Sequence, residues 1–223
     1  MYANSSPISS AQTGIHEQLH SLVARHAQSE FRKPFMPYNR EAFDASIAAW
    51  HAAGSPPLIL DAGCGVGLST RHLARMYPDH FVIGVDQSAD RLARNTEWEG
   101  QLPANFICVR ADLVDYWRLM LAAGVRPVKH FILYPNPWPK IGHLARRWHG
   151  HAVFPAVAAL GGTIECRSNW RIYVEEFAAA LSQLAGVVVC AESFVASDPI
   201  TPFEKKYADS GHDLWRCVTR LPG

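Results

Sequence analysis

The sequence predicts an α/β fold in which helices cover both faces of a mostly parallel sheet. From Pro57 onward, apolar runs of strand length alternate with segments of helical periodicity, as in parallel strands joined by helical crossovers. The 223 residues suffice for one such domain with a short appendage. We therefore assign residues 1–54 to an N-terminal tail and helices, and residues 55–223 to the α/β domain.

The composition is that of a globular protein without a strong overall charge. Apolar residues make up 48% and the net charge is +1, so any surface for nucleic acid must be a local patch. The five cysteines show no paired metal-ligand spacing, which favours reduced thiols. The first residues lack the basic and apolar regions of a signal peptide, and no apolar run approaches membrane-spanning length. We expect a cytoplasmic protein without a metal, and either a monomer or a homodimer.

The N-terminal region is expected to hold two helices. Residues 1–14 are small and polar and predict a loose tail, whereas apolar residues at helical spacing predict a helix over residues 15–26. Residues 31–40 interleave basic residues with aromatic residues and prolines, which suits either contact with RNA or a connector wrapped around the sheet. Asn39 could cap a second helix over residues 41–53.

The first strand of the α/β domain ends in a glycine-rich loop. Leu58 to Gly67 reads Leu-Ile-Leu-Asp-Ala-Gly-Cys-Gly-Val-Gly, and residues 68–77 have the pattern of a helix. Glycines at 63, 65 and 67 let the backbone adopt positive φ and let a ligand lie against the main chain. This arrangement is typical of a nucleotide-binding turn.

Acidic residues near the loop indicate which ligand it binds. Asp61 stands two residues before Gly63 and would repel the pyrophosphate of a dinucleotide. S-adenosylmethionine carries a sulfonium and an ammonium group but no phosphate, so a carboxylate suits it. The next predicted strand, residues 81–85, ends at Asp86, whose carboxylate can accept hydrogen bonds from both ribose hydroxyls. The order of these features favours S-adenosylmethionine as the cofactor.

A third acidic residue follows the third predicted strand. A helix is predicted over residues 88–98 and a strand over residues 105–110. Asp112 follows that strand and could accept a hydrogen bond from the adenine amino group. It could equally be the N-cap of a helix over residues 113–123, and the two roles are compatible.

A proline-rich loop follows the fourth predicted strand, residues 130–134. Pro-Asn-Pro-Trp-Pro-Lys at residues 135–140 cannot continue a strand or a helix, so we expect a stiff loop at the carboxyl edge of the sheet, where ligands of such folds bind. Residues 140–151 then form the densest positive cluster, with a helical face over residues 143–147. Contact with phosphate is the functional interpretation of this cluster. Its histidines lack cysteine or acidic partners at ligand spacing, which excludes a zinc site.

The remainder of the chain predicts three more strands and one helix. A strand over residues 163–167 precedes a helix over residues 171–184, and the last two strands are expected at residues 186–194 and 214–220. Residues 198–207 between them contain two prolines and predict a polar loop.

Taken in order, these motifs resemble those of bacterial tRNA (guanine-N7)-methyltransferases. The resemblance runs from about Leu58 to the C-terminus. It rests on the Asp61 glycine loop, the Pro-Asn-Pro-Trp-Pro-Lys segment, the Arg146-Arg147 pair, the Ser168-Asn169-Trp170 turn and Thr201-Pro-Phe-Glu204.

This resemblance implies a class I methyltransferase with a Rossmann-like, seven-stranded, mostly parallel sheet that transfers a methyl group from S-adenosylmethionine to guanine N7 of RNA, above all tRNA. It implies a cofactor site made of Asp61, Gly63, Gly65, Gly67, Asp86, Gln87, Asp112 and Leu113. Asn136 falls at the reacting position. With the basic cluster, the implied substrate contacts are Lys140, Arg146, Arg147, Asn169, Thr201 and Glu204.

The chain departs from the family pattern at three positions. The family has aspartate where this chain has Asn136 and Asn169, and glutamate where it has Arg171. Guanine N7 bears a free lone pair, so transfer requires alignment rather than a general base. Asparagine keeps one acceptor oxygen but loses the charge, which weakens each hydrogen bond to guanine about tenfold.

Three other functions stay open at this point. Asn136-Pro137-Trp138 partly resembles the motif of methyltransferases that act on exocyclic amines, although the second proline is missing. The near-neutral charge would also suit a small heterocyclic substrate. The two asparagines would also be compatible with a homologue that binds cofactor or RNA without turnover.

Overall fold

The computed structural model describes residues 5–94, 98 and 100–222, and within them the predicted α/β fold is confirmed. Seven strands form one sheet. They are β1 (Leu58–Ala62), β2 (Phe81–Asp86), β3 (Phe106–Arg110), β4 (Lys129–Leu133), β5 (Gly162–Ser168), β6 (Glu192–Phe194) and β7 (Leu214–Leu221). The helices are α1 (Leu19–Ala27), α2 (Pro37–Ala52), α3 (Leu68–Met76), α4 (Ala89–Leu92), α5 (Leu113–Ala122), α6 (Phe154–Ala159), α7 (Arg171–Ala185) and α8 (Pro202–Asp209).

The sheet has the strand order β3-β2-β1-β4-β5-β7-β6. Strands β1 to β5 pair in parallel, and β7 runs antiparallel to both of its neighbours. From β1 the chain proceeds outward to β2 and β3, and then returns to β4 on the other side of β1. This reversal between β1 and β4 opens a crevice at the carboxyl ends of the strands, where ligands of open α/β sheets bind.

Two apolar layers cover the sheet, one on each face. Leu58 and Leu60 of β1 belong to the larger cluster, which includes residues of α1, α5, α6 and α7. Ile59, between them, belongs to the smaller cluster with Leu73 of α3 and Val82. All residues of β1 and β2 are buried, as expected for central strands of a parallel sheet.

The predicted loop over residues 198–207 is wrong, because helix α8 begins inside it. Thr201 is its N-cap and accepts a hydrogen bond from the Glu204 backbone N–H at 2.9 Å, and Pro202 occupies the first helical position. A capping threonine followed by proline is a helix-start signal, and here it outweighs the turn preference of the two prolines.

Other element boundaries also differ from the sequence predictions. Of the strand predicted over residues 186–194, only the last three residues form a strand, β6. The preceding residues do not, because Gly186 ends α7 in the left-handed conformation (φ 67°) and the chain after it is largely exposed. Helix α6 was not predicted, and the face predicted over residues 143–147 belongs to a 3₁₀ helix, Ile141–Arg146. A helix was predicted over residues 88–98, but α4 ends at Leu92. Residues 95–97 of the predicted helix lie outside the residues that the structure describes.

The N-terminal region is attached to the α/β domain rather than loose from residue 5 onward. The Ser10 hydroxyl donates to the Pro139 carbonyl at 2.6 Å, and the Gln12 amide donates to Glu176 at 2.5 Å. Asn39 is buried inside α2, which begins at Pro37, and its amide donates to Asp115 at 2.7 Å, so it is not the predicted cap. Among the described helices, none has the length and apolar character needed to cross a membrane.

Candidate active site

A crevice of about 360 Å³ lies at the carboxyl edge of the sheet, where the strand order reverses. Its volume is within the range of small-molecule sites. Five segments supply most of its lining: residues 62–66 after β1, residues 86–87 after β2, residues 112–113 after β3, residues 133–136 after β4, and residues 201–203 at the start of α8. Four parallel strands and the helix α8 thus converge on one space.

The glycine-rich loop after β1 has the predicted conformation. Gly63, Gly65 and Gly67 have φ angles of 86°, 60° and 76°. The Gly63 N–H donates to the Val85 carbonyl at 2.8 Å, which holds the loop against β2. A Cβ added at Gly65 would meet no described atom within 4 Å, so the backbone there faces open space. Gly63 and Gly65 line the crevice, whereas Gly67 is the N-cap of α3.

Asp86 anchors the loop from the end of β2. Its Oδ2 accepts the Gly65 N–H at 3.0 Å and its Oδ1 accepts the Ser88 N–H at 2.8 Å. The Arg91 guanidinium lies 3.7 Å from Oδ2. The side chain is 4% exposed and lines the crevice together with Gln87. Its fixed carboxylate can accept further hydrogen bonds from hydroxyl groups of a ligand.

Asp112 has the predicted N-cap role and also lines the crevice. Its Oδ1 accepts the Val114 N–H at 2.9 Å, which caps α5, and its side chain also lines the crevice beside Leu113. Its own backbone N–H donates to the Asn39 Oδ1 at 2.8 Å, and the Lys33 ammonium lies 3.9 Å from its Oδ2. The N-terminal region therefore helps to position this wall of the crevice.

Asp61 lies behind the loop and is absent from the set of described residues that line the crevice. It is 1% exposed, and its Oδ2 accepts hydrogen bonds from the hydroxyls of Ser69 at 2.6 Å and Thr70 at 2.7 Å. Burial raises the pKa of Asp61 to about 6, although these two hydrogen bonds act in the opposite direction. Asp61 thus ties β1 to α3 directly, while its charge can reach a ligand only through space.

The proline-rich loop carries Asn136 into the crevice. Tyr134 and Trp138, two residues to either side, have positive φ angles of 50° and 45°, which is a strained conformation for aromatic residues. The Trp138 N–H donates to the Asn136 Oδ1 at 3.4 Å. Asn136 is exposed and lines the same crevice as the glycine-rich loop. The loop conformation therefore presents an amide side chain to the crevice.

Arg147 supports this loop from inside the protein, and its predicted contact with substrate is wrong. The side chain is fully buried. Its guanidinium donates to Glu176 at 2.6 Å and, from two nitrogens, to the Trp138 carbonyl at 3.2 Å. A guanidinium held in this way is not available to an RNA phosphate.

Lys140 and Arg146 remain exposed on the outer side of the loop, as their predicted role requires. The Arg146 guanidinium lies 4.8 Å from the ring centroid of Trp138. Both are outside the set of described residues that line the crevice, but they follow closely on the segment 133–136 that does line it, and we refer to them as the rim. Their exposure leaves two positive charges for a polyanion that approaches the crevice.

Glu204 is also buried, which contradicts its predicted contact with substrate. Its Oε1 accepts hydrogen bonds from the Tyr134 hydroxyl and from Arg167, both at 2.9 Å, and its Oε2 accepts the Ile200 N–H at 2.9 Å. Glu204 therefore joins α8 to β4 and β5. Thr201, its capping partner, does line the crevice.

Asn169 is separated from the described lining of the crevice. Its amide nitrogen lies 3.1 Å from the Nδ1 atom of His212, and the side chain is half-buried. Arg171, at the other divergent position, pairs with Glu175 at 2.6 Å on the surface of α7. Of the three departures from the family pattern, Asn136 alone falls within the described crevice.

Several lining residues were not predicted from the sequence. Arg91 lies 3.7 Å from Asp86, Arg94 follows α4, Trp148 belongs to the basic segment 140–151, and Phe203 lies on α8. Phe203 could have been found, because it stands between Thr201 and Glu204 in one of the motifs that carry the family resemblance. Arg94 and Trp148 come from segments whose fold was not predicted correctly, whereas Arg91 lies in the part of the predicted helix that α4 confirms.

Comparisons with solved structures agree with the fold. A solved structure titled "Structure of an antibiotic related Methyltransferase" has a TM-score of 0.55 at 18% identity and covers 85% of this chain and 97% of its own. A variant 16S rRNA (adenine(1408)-N(1))-methyltransferase from Catenulisporales acidiphilia, solved with its cosubstrate SAM, has a TM-score of 0.53 at 16% identity, with coverages of 79% and 91%. The fold is that of class I methyltransferases.

The family follows from sequence. A family model described as "Putative methyltransferase" matches residues 55–217. The tRNA (guanine-N(7)-)-methyltransferase of Ralstonia pickettii (strain 12J) is 28% identical over 232 residues, which cover 96% of this chain and 89% of that protein. That of Acidovorax sp. (strain JS42) is 30% identical over 196 residues, with coverages of 82% and 74%. The chain belongs to the tRNA (guanine-N7)-methyltransferase family as a divergent member.

Proposed function

We propose that this protein transfers a methyl group from S-adenosylmethionine to N7 of a guanine in tRNA. The observation that carries this proposal is the convergence of Asp86, Asp112, the bare glycine loop and Asn136 on a single crevice. Family membership supports both the donor and the acceptor.

The crevice fits the adenosyl cofactor in shape and in chemistry. The open space against Gly65 accepts a ligand next to the main chain. Asp86, Asp112 and Leu113 all line the crevice. In this proposal Asp86 accepts hydrogen bonds from the ribose hydroxyls, and Asp112 and Leu113 give the adenine one polar and one apolar contact. When bound, S-adenosylmethionine supplies an electrophilic methyl group on a cationic sulfur. The nearby buried carboxylate of Asp61 favours that positive charge.

The role of the protein in this reaction is to align the base with the methyl group. Guanine N7 attacks without losing a proton, so the site needs groups that hold the base in line with the methyl group. Asn136 presents an amide at the crevice, and its Oδ1 can accept a hydrogen bond from an amino or imino group of the base. The strained backbone on both sides, braced from below by Arg147, keeps this amide in place.

The tRNA would approach from the side of the exposed basic residues. Lys140 and Arg146 lie next to the loop that carries Asn136, and phosphate contacts at such a rim position a nucleic acid without reading its sequence. With a net charge of +1, the protein has no broad positive field, so these local contacts dominate the salt dependence.

Nucleoside analysis tests the proposal. Purified protein is incubated with bulk tRNA and S-adenosylmethionine that carries a deuterated methyl group, and the digested nucleosides are separated by mass spectrometry. We expect labelled 7-methylguanosine. Label in N6-methyladenosine would instead support the exocyclic-amine alternative, and no labelled nucleoside from any RNA, despite cofactor binding by calorimetry, would support a homologue without turnover.

A further inference from the structure

Phe203 is an aromatic residue that faces the crevice instead of the core. It lies in the first turn of α8, lines the crevice and is 50% exposed. Leaving half of a phenyl ring in water gives up part of the free energy that its burial would supply. The next residue, Glu204, points the other way and is fully buried, so the orientation of α8 places Phe203 outward.

A row of rings supports Phe203 from behind. Tyr207, one helical turn further, is stacked on it with a centroid distance of 6.1 Å and an interplanar angle of 25°. His212 stacks on Tyr207 at 5.4 Å and 16°, and Tyr134 packs against Tyr207 at 5.6 Å. Phe203 is thus the exposed end of a nearly parallel stack, which is a geometry that can accept one further flat ring.

The two lining segments that carry Asn136 and Phe203, residues 133–136 and 201–203, contain no charged residue. Glu204 uses its carboxylate on Tyr134, Arg167 and the backbone of Ile200. Asn136, which lines the same crevice, is neutral. These segments therefore offer a base only neutral hydrogen-bonding groups, and the exposed ring adds a means of fixing the plane of the base.

We propose that Phe203 is the stacking platform for the target base, a purine turned out of the RNA stack into the crevice. This inference rests on the proposed function and adds the residue that holds the acceptor. A base stacked on Phe203 has its edge free to meet Asn136 and the methyl donor. RNA-binding proteins commonly hold unstacked bases on aromatic side chains, and enzymes that modify bases take them out of the stack.

Kinetics of Phe203 variants test the platform. Phe203→Leu removes the ring but keeps an apolar side chain, and we expect kcat/KM for tRNA to fall roughly tenfold to hundredfold, with cofactor affinity unchanged. Phe203→Tyr keeps the ring and should restore activity to within about threefold of wild type. Val188→Ala is the control, because Val188 is 89% exposed and follows α7 at the opposite edge of the sheet. Wild-type kcat/KM in Phe203→Leu would overturn the inference.

Fluorine NMR separates this inference from the proposed function. The ten phenylalanines are labelled with 4-fluorophenylalanine, and the Phe203 resonance is the one missing from Phe203→Leu. With S-adenosylhomocysteine present, guanosine 5′-monophosphate should move that resonance upfield by its ring current, and ribose 5-phosphate should not. If the wild type methylates no RNA, an upfield shift supports the platform without the activity, and an unmoved resonance overturns it. If 7-methylguanosine forms while Phe203→Leu is fully active, the proposed function stands and the platform falls.

Discussion

Arg147 and Glu176 form an ion pair at 2.6 Å in which both side chains are fully buried. The second Glu176 oxygen accepts the Gln12 amide and the His16 N–H, and His149 contacts the first at 2.8 Å. Because Arg147 also donates to the Trp138 carbonyl, this pair links α7 and the N-terminal region to the loop that carries Asn136. Stability and the geometry of the acceptor site are therefore coupled through one buried carboxylate.

Removing that carboxylate should destabilise the protein strongly. Glu176→Gln leaves the Arg147 charge buried without a counterion, and we expect the free energy of unfolding to fall by about 3–5 kcal/mol. Glu175→Gln is the matched control one residue away, since its pair with Arg171 is at the surface and should contribute less than about 1 kcal/mol. Urea denaturation of both variants measures the difference, and equal losses would contradict the role given to the buried pair.

The same pair should make stability fall in acid. Burial raises the pKa of Glu176, but the hydrogen bond from His149 and the charge of Arg147 outweigh it and hold the pKa at about 2, below the ordinary value of 4.5. A depressed carboxyl pKa stabilises the fold above pH 4.5, and this contribution is lost as the pH falls from about 4.5 to about 2. Between pH 4.5 and pH 2, the free energy of unfolding from denaturation curves should fall more steeply with pH for wild type than for Glu176→Gln. Equal slopes for the two proteins would argue against the assignment.

Asp61→Asn should separate the structural role of Asp61 from its electrostatic role. An amide oxygen can still accept the hydroxyls of Ser69 and Thr70, so the fold is retained. Since burial raises the pKa of Asp61 only to about 6, the carboxylate is charged at pH 8. At that pH the variant should bind S-adenosylmethionine roughly tenfold more weakly and lose less affinity for the uncharged sulfur of S-adenosylhomocysteine. Equal losses in calorimetry would remove the sulfonium argument.

Asn136→Asp should strengthen recognition of guanine. A charged acceptor in place of the amide oxygen should raise kcat/KM for tRNA about tenfold, and Asn136→Ala should lower it by a similar factor. The same change at Asn169 should have a smaller effect, because its amide faces His212 and not the crevice. Initial rates with a single tRNA transcript provide the comparison. A larger gain at Asn169 than at Asn136 would show that the acceptor site is built differently.

The exposed basic residues should govern the salt dependence of tRNA binding. Removing Lys140 or Arg146 is expected to reduce the slope of log K against log salt concentration by about 0.7–0.9 for each RNA phosphate that the variant no longer neutralises. Arg220→Ala is the control, because Arg220 pairs with Thr163 at the amino end of β5, whereas the crevice lies at the carboxyl ends of the parallel strands. Anisotropy titrations at several salt concentrations give the slopes. An unchanged slope in both rim variants would show that Lys140 and Arg146 do not contact RNA phosphates.

The central part of the fold and the cofactor side of the crevice were predictable from the sequence. Strands β1 to β4 have near-continuous apolar runs, and the glycine loop with Asp86 carries a strong local signal. The burial of Arg147 and Glu204 was not predictable, because contacts distant in sequence decide whether a charged side chain faces solvent or a buried partner. Glu204 meets residues from β4 and β5, and Glu176 lies 29 positions from Arg147. Helix α8 escapes prediction because prolines are typical of turns as well as of the first helical position.

The position of the methyl group in a defined tRNA tests the central claim most directly. Wild-type protein and Asp86→Ala are incubated with one tRNA transcript and S-adenosylmethionine, and the RNA is then cleaved by borohydride and aniline, which cut at 7-methylguanosine. We expect wild type to give one strong cleavage at a single guanine, and Asp86→Ala to give little, because the variant loses the carboxylate that holds Gly65 and that we propose binds the ribose. No cleavage by wild type on any transcript, or full activity in Asp86→Ala, would contradict methyl transfer to guanine N7 in this crevice.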